Sequence, residues 1–247
     1  MPTLITVIAS FRMGVTMNGA ATVKPPSSSV GDYLKAIWEL AREDGTAQTK
    51  DVADRLSISS ASVSNMFARL QEMGFVEYER YRGASLTERG RGEALRLVRR
   101  HRLIETFLLE HLGYSWQEVH EEAERLEHAV SDGFTERLAE FLGHPVHDPH
   151  GGPIPAADGT LEADDSFPLN DAAVGQRVRI SRVVDEEAAA LTFLEKHDLM
   201  PGRLLEVKEV RALDGIVTVE DEDGKTRTLG APLAALVFVR SAFAEGG

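Results

Sequence analysis

The chain has 247 residues, a net charge of −13 and a hydrophobic share of 43%, so it is a globular protein of one large domain or two ordinary ones. It has no cysteine, which removes disulfides, thiolate metal sites and cysteine nucleophiles, and no apolar run approaches a membrane span. The charge is uneven: residues 30–100 carry 12 Lys/Arg against 11 Asp/Glu, and residues 101–247 carry 13 against 29. A DNA-binding surface needs local positive potential rather than a basic total. Arg80, Arg82, Arg89, Arg91, Arg96, Arg99 and Arg100 supply a basic cluster, while the acidic remainder is free to hold cations.

Residues 1–28 have a short apolar patch and no basic lead-in, a poor secretory signal. They read as a disordered tail, or as an extension upstream of a start at Met13 or Met17, and the cytoplasm is the expected compartment. "GDYLKAIWELAREDG" spaces Tyr33, Leu34, Ile37, Trp38, Leu40 and Ala41 as a helix stopped by Gly45. A short helix beginning near Thr49 buries Val52, Ala53 and Leu56. A longer one, capped by Ser59 or Ser60, buries Val63, Phe67 and Leu70 and ends at Gly74. "FVEYERYRGASLT" alternates about Arg82-Gly83 as a hairpin. A long helix then runs to Gly113, and one or two more end at Gly143.

Residues 144–167 are rich in Pro, Gly, Asp and His without a period, and read as a linker. His144, His147 and His150 lie in it, and a flexible linker is a poor place for a metal site. Beyond it, short β-like runs with one inserted helix, "DEEAAALTFLEKHDL", fit a small barrel of SH3-like size over residues 168–242.

Two helices, a tight turn and an Arg-bearing hairpin describe a winged helix-turn-helix. Its second helix exposes Ser59, Ser60, Ser62, Ser64 and Asn65, short polar side chains that suit base edges or phosphates. Arg69, Arg80, Arg82, Thr49 and Lys50 are candidates for phosphate contacts. The plainer alternative is a helical hairpin whose serines are caps and surface.

"HEEAERLEH", residues 120–128, carries His120, Glu124, Glu127 and His128 on one helix. At about 100° per residue the four share an arc roughly 100° wide, which suits either a divalent ion or a solvated face. His101 and Glu105 stand four residues apart on the preceding helix and share a face, as metal-ligand pairs do.

"GDYLKAIWEL", "VADRLSISSASVSNMFARLQEMGFVEYERYRGASLTERGR", "RRHRLIETFL", "VHEEAERLEH" and "PHGGPIP" follow one another here. In that order they resemble the diphtheria-toxin-repressor family of metal-activated transcription regulators, which includes manganese-responsive members. The resemblance covers about residues 30–155, and the β-rich end is similar to the SH3-like domain of longer members. It implies an α+β multidomain chain. Residues 29–98 would form a winged helix-turn-helix, 99–143 a helical dimerisation and metal-binding domain, and 168–242 an SH3-like (FeoA-type) domain.

The resemblance also implies a primary metal site of Asp32, Glu124, Glu127 and His128. The ancillary site would comprise His101, Glu105, His120 and a carboxylate from the SH3-like domain, Glu187 or its competitor Glu186. Glu124 stands where some iron-responsive members carry sulfur, and Asp32 where they carry Met. Carboxylates with imidazole suit Mn²⁺ or Fe²⁺, with Mn²⁺ preferred, although affinity rising towards Cu²⁺ admits Zn²⁺ and others in vitro. Two departures stand out. Lys35 replaces a second carboxylate of manganese-type members, which favours separated sites over a closely spaced pair, and Ala190 replaces a polar ligand of some members.

The implied function is a metal-activated transcriptional regulator, repressing or activating, of metal-ion homeostasis genes that reads a palindromic DNA operator as a homodimer through "LIETFLLEHL" and "GFTERLAEFL". An iron-responsive regulator and a winged-helix sensor of a small organic ligand are the alternatives, with a metal buffer behind them. An enzyme is disfavoured, since no "HExxH", nucleophile elbow or phosphate loop is present.

Overall fold

The computed structural model describes residues 27–41, 45–184, 188–211 and 213–242. The tail of residues 1–26 and the candidates Glu186 and Glu187 lie outside the described residues.

Helix α1 (Ser28–Leu40) turns Val30, Leu34 and Ile37 inward, the spacing of one helical face. Strand β1 (Thr46–Ala47) leads to α2 (Thr49–Arg55) and α3 (Ser60–Glu72). Ser59 caps α3, its hydroxyl accepting from the Ser62 N–H at 3.1 Å. Strands β2 (Val76–Glu79) and β3 (Gly83–Leu86) form the wing, and β1 joins β3 to complete a three-stranded antiparallel sheet. Val52, Val63, Phe67, Leu70 and Phe75 close one core with the inner face of α1.

Helix α4 (Glu88–Leu112) is a single 25-residue rod, capped by Thr87 and stopped by Gly113 in the left-handed region. The expected boundary at residues 98/99 falls inside it. Its first half packs on α1 and its second half on α5 (Val119–Leu126) and α6 (Asp132–Phe141), so one rigid element spans the reading head and the helical domain.

The rest is antiparallel sheet: β4 (Phe167–Pro168), β5 (Arg177–Val183), β6 (Leu204–Arg211), β7 (Ile216–Asp221), β8 (Thr226–Leu229) and β9 (Val237–Ser241), with α7 (Ala188–Lys196) and α8 (Ala231–Ala235) inserted. The strands lie in the order β4-β9-β5-β6-β7-β8, and register shifts in β5 and β6 bend them around one apolar core.

The expectation of a linker from residue 144 is corrected in its first half. Asp148 and His150 are buried, and Ile154 belongs to the helical core. The Asp148 carboxylate accepts from the His150 and Gly152 N–H groups at 2.8 and 2.9 Å, which closes "DPHGG" into a compact loop. The Val183 N–H then donates to the His150 carbonyl at 2.9 Å, fastening the loop to β5. Trp116 completes the join: it sits in the core of the β domain and donates to the Pro149 carbonyl at 3.0 Å. Pro and Gly gave the segment no hydrophobic period, yet Asp148 organises it through hydrogen bonds, which periodicity cannot register.

Gly151 has φ +87°, and a Cβ there would collide with the Ser181 carbonyl. Gly151→Ala is expected to lower stability by about 2 kcal/mol or more, read as a lower urea midpoint.

Candidate metal centres and nucleic-acid interface

Three helices bring the acidic and imidazole side chains together. Helix α1 supplies Asp32, α4 supplies His101 and Glu105, and α5 supplies His120 and Glu124, with Glu127 and His128 at and just beyond its end. Gly31 lets α1 approach closely, since a Cβ there would lie 3.3 Å from His128 Cε1 and 3.2 Å from Leu97 Cδ2.

Two adjoining clusters result. In the first, His128 Nε2 lies 2.6 Å from Asp32 Oδ1 and 3.6 Å from Glu127 Oε1. In the second, His101 Nε2 lies 2.9 Å from Glu105 Oε1 and 3.2 Å from His120 Nδ1, and His120 Nδ1 is 3.3 Å from Glu105 Oε1. His101 Nδ1 and Glu127 Oε2, 2.6 Å apart, join them. In each cluster one ligand atom per residue falls within 4.8 Å of the others.

The structure brings Asp32, Glu127 and His128 together, and His101, Glu105 and His120 together, with a third group of His101, Glu124 and Glu127 crossing between them. Glu124 differs. It lies between the clusters, 3.9 Å from His120 Nε2, and takes a 2.7 Å hydrogen bond from the Lys35 ammonium. Lys35 Nζ also reaches Glu127 Oε2 at 3.1 Å and lies 3.1 Å from His101 Nδ1.

The electrostatics follow from burial and crowding. Burial works against the charged form of His101, but the neighbouring Glu105, with hydrogen bonds to Glu105 and Glu127, outweighs it and raises the imidazole to about 9. Burial likewise opposes the Glu105 carboxylate, and His101 and His120 pull it well below the ordinary range. Burial raises Asp32 despite the opposing pull of His128, with Glu127 and Glu124 adding to the rise. Lys35 is held above its ordinary value because Glu127 and Glu124 override its burial.

These residues fit a divalent ion. Oxygen and imidazole donors without thiolate are the set taken by Mn²⁺, Fe²⁺ and Zn²⁺. Glu105 Oε2 is buried without a hydrogen-bond partner, so it retains an unused acceptor beside two imidazoles. Asp148 and His150 form a further group with Glu105, His150 Nδ1 lying 3.9 Å from Glu105 Oε1. Sequence reading set His150 aside because its segment lacked periodicity. The "PHGG" turn beside an acidic residue was the available signal.

On the reading head, Ser60, Asn65, Arg69 and Lys50 are exposed, and Ser64 and Thr49 are half-buried. Ser59 and Ser62 are exposed too, but their hydroxyls bond each other at 2.9 Å and serve the cap. At the wing tip Arg80 and Arg82 are exposed, and Tyr81 between them is 85% exposed with φ +71°. Gln48 donates to the Arg82 carbonyl at 2.7 Å, tying the wing to the start of α2. Sequence reading passed over Tyr81 and Gln48.

The rest of the expected basic cluster is dispersed around α4. Arg99 pairs with Glu136, Arg100 with Asp132 and the Glu127 carbonyl, Arg96 with Glu93, and Arg89 with the Met73 carbonyl.

Three family models match the chain: "Iron dependent repressor, N-terminal DNA binding domain" over residues 27–84, "Iron dependent repressor, metal binding and dimerisation domain" over 87–156, and "FeoA domain" over 167–241. The iron-dependent repressor IdeR of Mycobacterium tuberculosis is 38% identical over 123 residues, half of this chain. The chain spans 54% of that relative's length. The diphtheria toxin repressor of Corynebacterium diphtheriae is 32% identical over 217 residues, 84% of this chain and 94% of that protein. A solved structure described as a manganese-dependent transcriptional repressor in complex with manganese aligns with TM-score 0.81 at 38% identity, covering 86% of this chain and all of the other. The structure of the manganese regulator SloR aligns at 0.73 and 36%, covering 88% and 99%.

The raised imidazole gives a test in the metal-free protein. Its stabilisation is complete below the unfolded value near 6.5 and is lost as pH rises through about 9. In EDTA the unfolding midpoint should therefore fall between pH 6.5 and 9, and His101→Gln should flatten that slope.

Proposed function

The chain belongs to the diphtheria-toxin-repressor family, a family of repressors rather than enzymes, and from that premise we propose that it is a metal-activated DNA-binding repressor. Mn²⁺ is the preferred effector, and the chain acts as a homodimer on a palindromic operator controlling metal-ion homeostasis genes. One observation carries the reading: Asp32 on α1, the helix that shares a core with α3, meets Glu127 and His128 of the helical domain. A divalent ion bound there supplies positive charge at that junction. Asp32, Glu127 and His128 hold it, with Glu124 at the border of the second cluster. His101, Glu105 and His120 form the ancillary site, which Asp148 and His150 extend through Glu105.

The chain's own residues then transmit the state. Drawing Asp32 towards Glu127 tightens the seat of α1 and of the head packed on it. Coupling of this kind typically changes affinity by about 5–150-fold. Ser60, Ser64 and Asn65 face the major groove at the start of α3, with Asn65 suited to adenine. Arg69, Lys50, Thr49, Arg80 and Arg82 approach phosphates, and Ser59 and Ser62 shape the helix start.

Manganese rests on the donor set and on the two manganese-regulator structures; the iron-repressor relatives support Fe²⁺ as the alternative effector. The second copy has an apolar surface to meet: Leu112 at the end of α4, Phe134 and Phe141 on α6, and Val146 in the loop after it are exposed. A cytoplasmic setting accords with this role, and among the described residues no helix is long and apolar enough to cross a membrane.

Fluorescence anisotropy with a metal-uptake promoter fragment tests the reading. Mn²⁺ should tighten binding at least about fivefold over EDTA, with anaerobic Fe²⁺ and Zn²⁺ ranked at the same salt. Asp32→Ala with Glu127→Ala should abolish the response, and Asn65→Ala should weaken binding by about 1–3 kcal/mol. Equal binding in EDTA and in every metal overturns it.

Light scattering with metal present should give a dimer, and Phe141→Asp a monomer. A monomeric native chain overturns the two-fold arrangement.

A further inference from the structure

Lys35 is the residue that the metal reading does not use, and its surroundings are those of a bound cation. It is 5% exposed, and its ammonium lies 2.7 Å from Glu124 Oε1 and 3.1 and 3.4 Å from the two Glu127 oxygens. It stands three positions after Asp32, so both project from one side of α1, Asp32 to His128 and Lys35 to Glu124 and Glu127. Glu127 is 0% exposed and stands between these two contacts. A buried carboxylate needs a partner of opposite charge, and here the chain carries one covalently.

We propose that Lys35 is a resident cation of this sensor. In the metal-free chain its ammonium docks α1 onto α5 through Glu124 and Glu127. An added metal ion using those oxygens must take them from it. Two consequences follow. The head-bearing helix is already held without metal, so metal tightens a docked arrangement instead of assembling a loose one. Lys35 also lowers the chain's affinity for metal, since each carboxylate oxygen it holds is less available to an ion. Lys35 is thus a positioning residue that sets the metal level of the response. The second consequence rests on the metal-sensor reading above; the first does not.

Direct measurement on the full chain separates them. Mn²⁺ affinity is read by calorimetry, and amide hydrogen exchange of α1 is followed in EDTA and in Mn²⁺. In the native chain α1 should be protected in EDTA. Lys35→Met should bind Mn²⁺ at least about tenfold more tightly, because a unit charge about 4 Å away is worth more than that at an effective dielectric constant near 20. It should lose α1 protection in EDTA and regain it with Mn²⁺. A merely structural lysine predicts the reverse sign, weaker metal binding once packing is lost. Lys35→Arg, which keeps the charge, should retain α1 protection in EDTA and bind Mn²⁺ less tightly than Lys35→Met.

Free exchange of α1 in the native chain in EDTA overturns the proposal whether or not either variant folds. So does Lys35→Met binding Mn²⁺ no more tightly than the native chain while keeping a native circular dichroism spectrum. If Lys35→Met folds only with Mn²⁺, the ion has replaced the ammonium, as expected. If the native chain binds no Mn²⁺ but protects α1, and Lys35→Met binds the ion, the sensor reading fails and the resident cation stands.

Discussion

Carboxylates that have left water must be matched by positive charge, and this requirement organises the junction between the head and the helical domain. Glu105 and Glu127 have no solvent exposure, and Asp32 and Glu124 lie beside them. Such groups are costly to bury unless paired and hydrogen-bonded. The chain answers with Lys35 and His101, each in contact with more than one of these acids. Arg100 adds a donor to the Glu127 carbonyl, fixing the turn on which Glu127 and His128 sit.

The architecture makes the balance consequential beyond the site. Helix α4 runs through both domains as one rod, so its His101 and Glu105 cannot shift independently of the helical core. Helix α1 is different, since it belongs to the core of the head and reaches the cluster through Asp32 and Lys35. It is the element whose position the charge balance controls, and α3 follows it because Ile37, Val63, Phe67 and Leu70 share one core.

The β domain is joined to the same region rather than appended to it. Trp116 and the "DPHGG" loop fasten β5 next to Glu105, with His150 turned towards that carboxylate. Its joining residues are therefore neighbours of the ancillary cluster.

Much of the fold was legible because it is periodic. The inner faces of α1, α2 and α3, the Arg-bearing wing and the alternating strands repeat at 3.6 or 2 residues, and Gly113 marks the end of α4 by the conformation it adopts. His101 with Glu105 and the four acidic and imidazole side chains of "HEEAERLEH" were legible for the same reason, as spacings on a helix. What the residues alone could not decide is which charges meet across helices. The row of arginines on α4 read as one basic surface, yet the helix turns Arg99, Arg100 and Arg96 to Glu136, Asp132 and Glu93, which pair with them. Lys35 read as a missing carboxylate, and tertiary packing made it a buried cation between Glu124 and Glu127. "DPHGG" read as linker, and Asp148 folded it by hydrogen bonds. Local periodicity is written along the chain, so the sequence determined the elements and the faces that carry His and Glu. The pairing of buried charge depends on distances between residues as far apart as Lys35 and Glu127, and only the tertiary structure decided it.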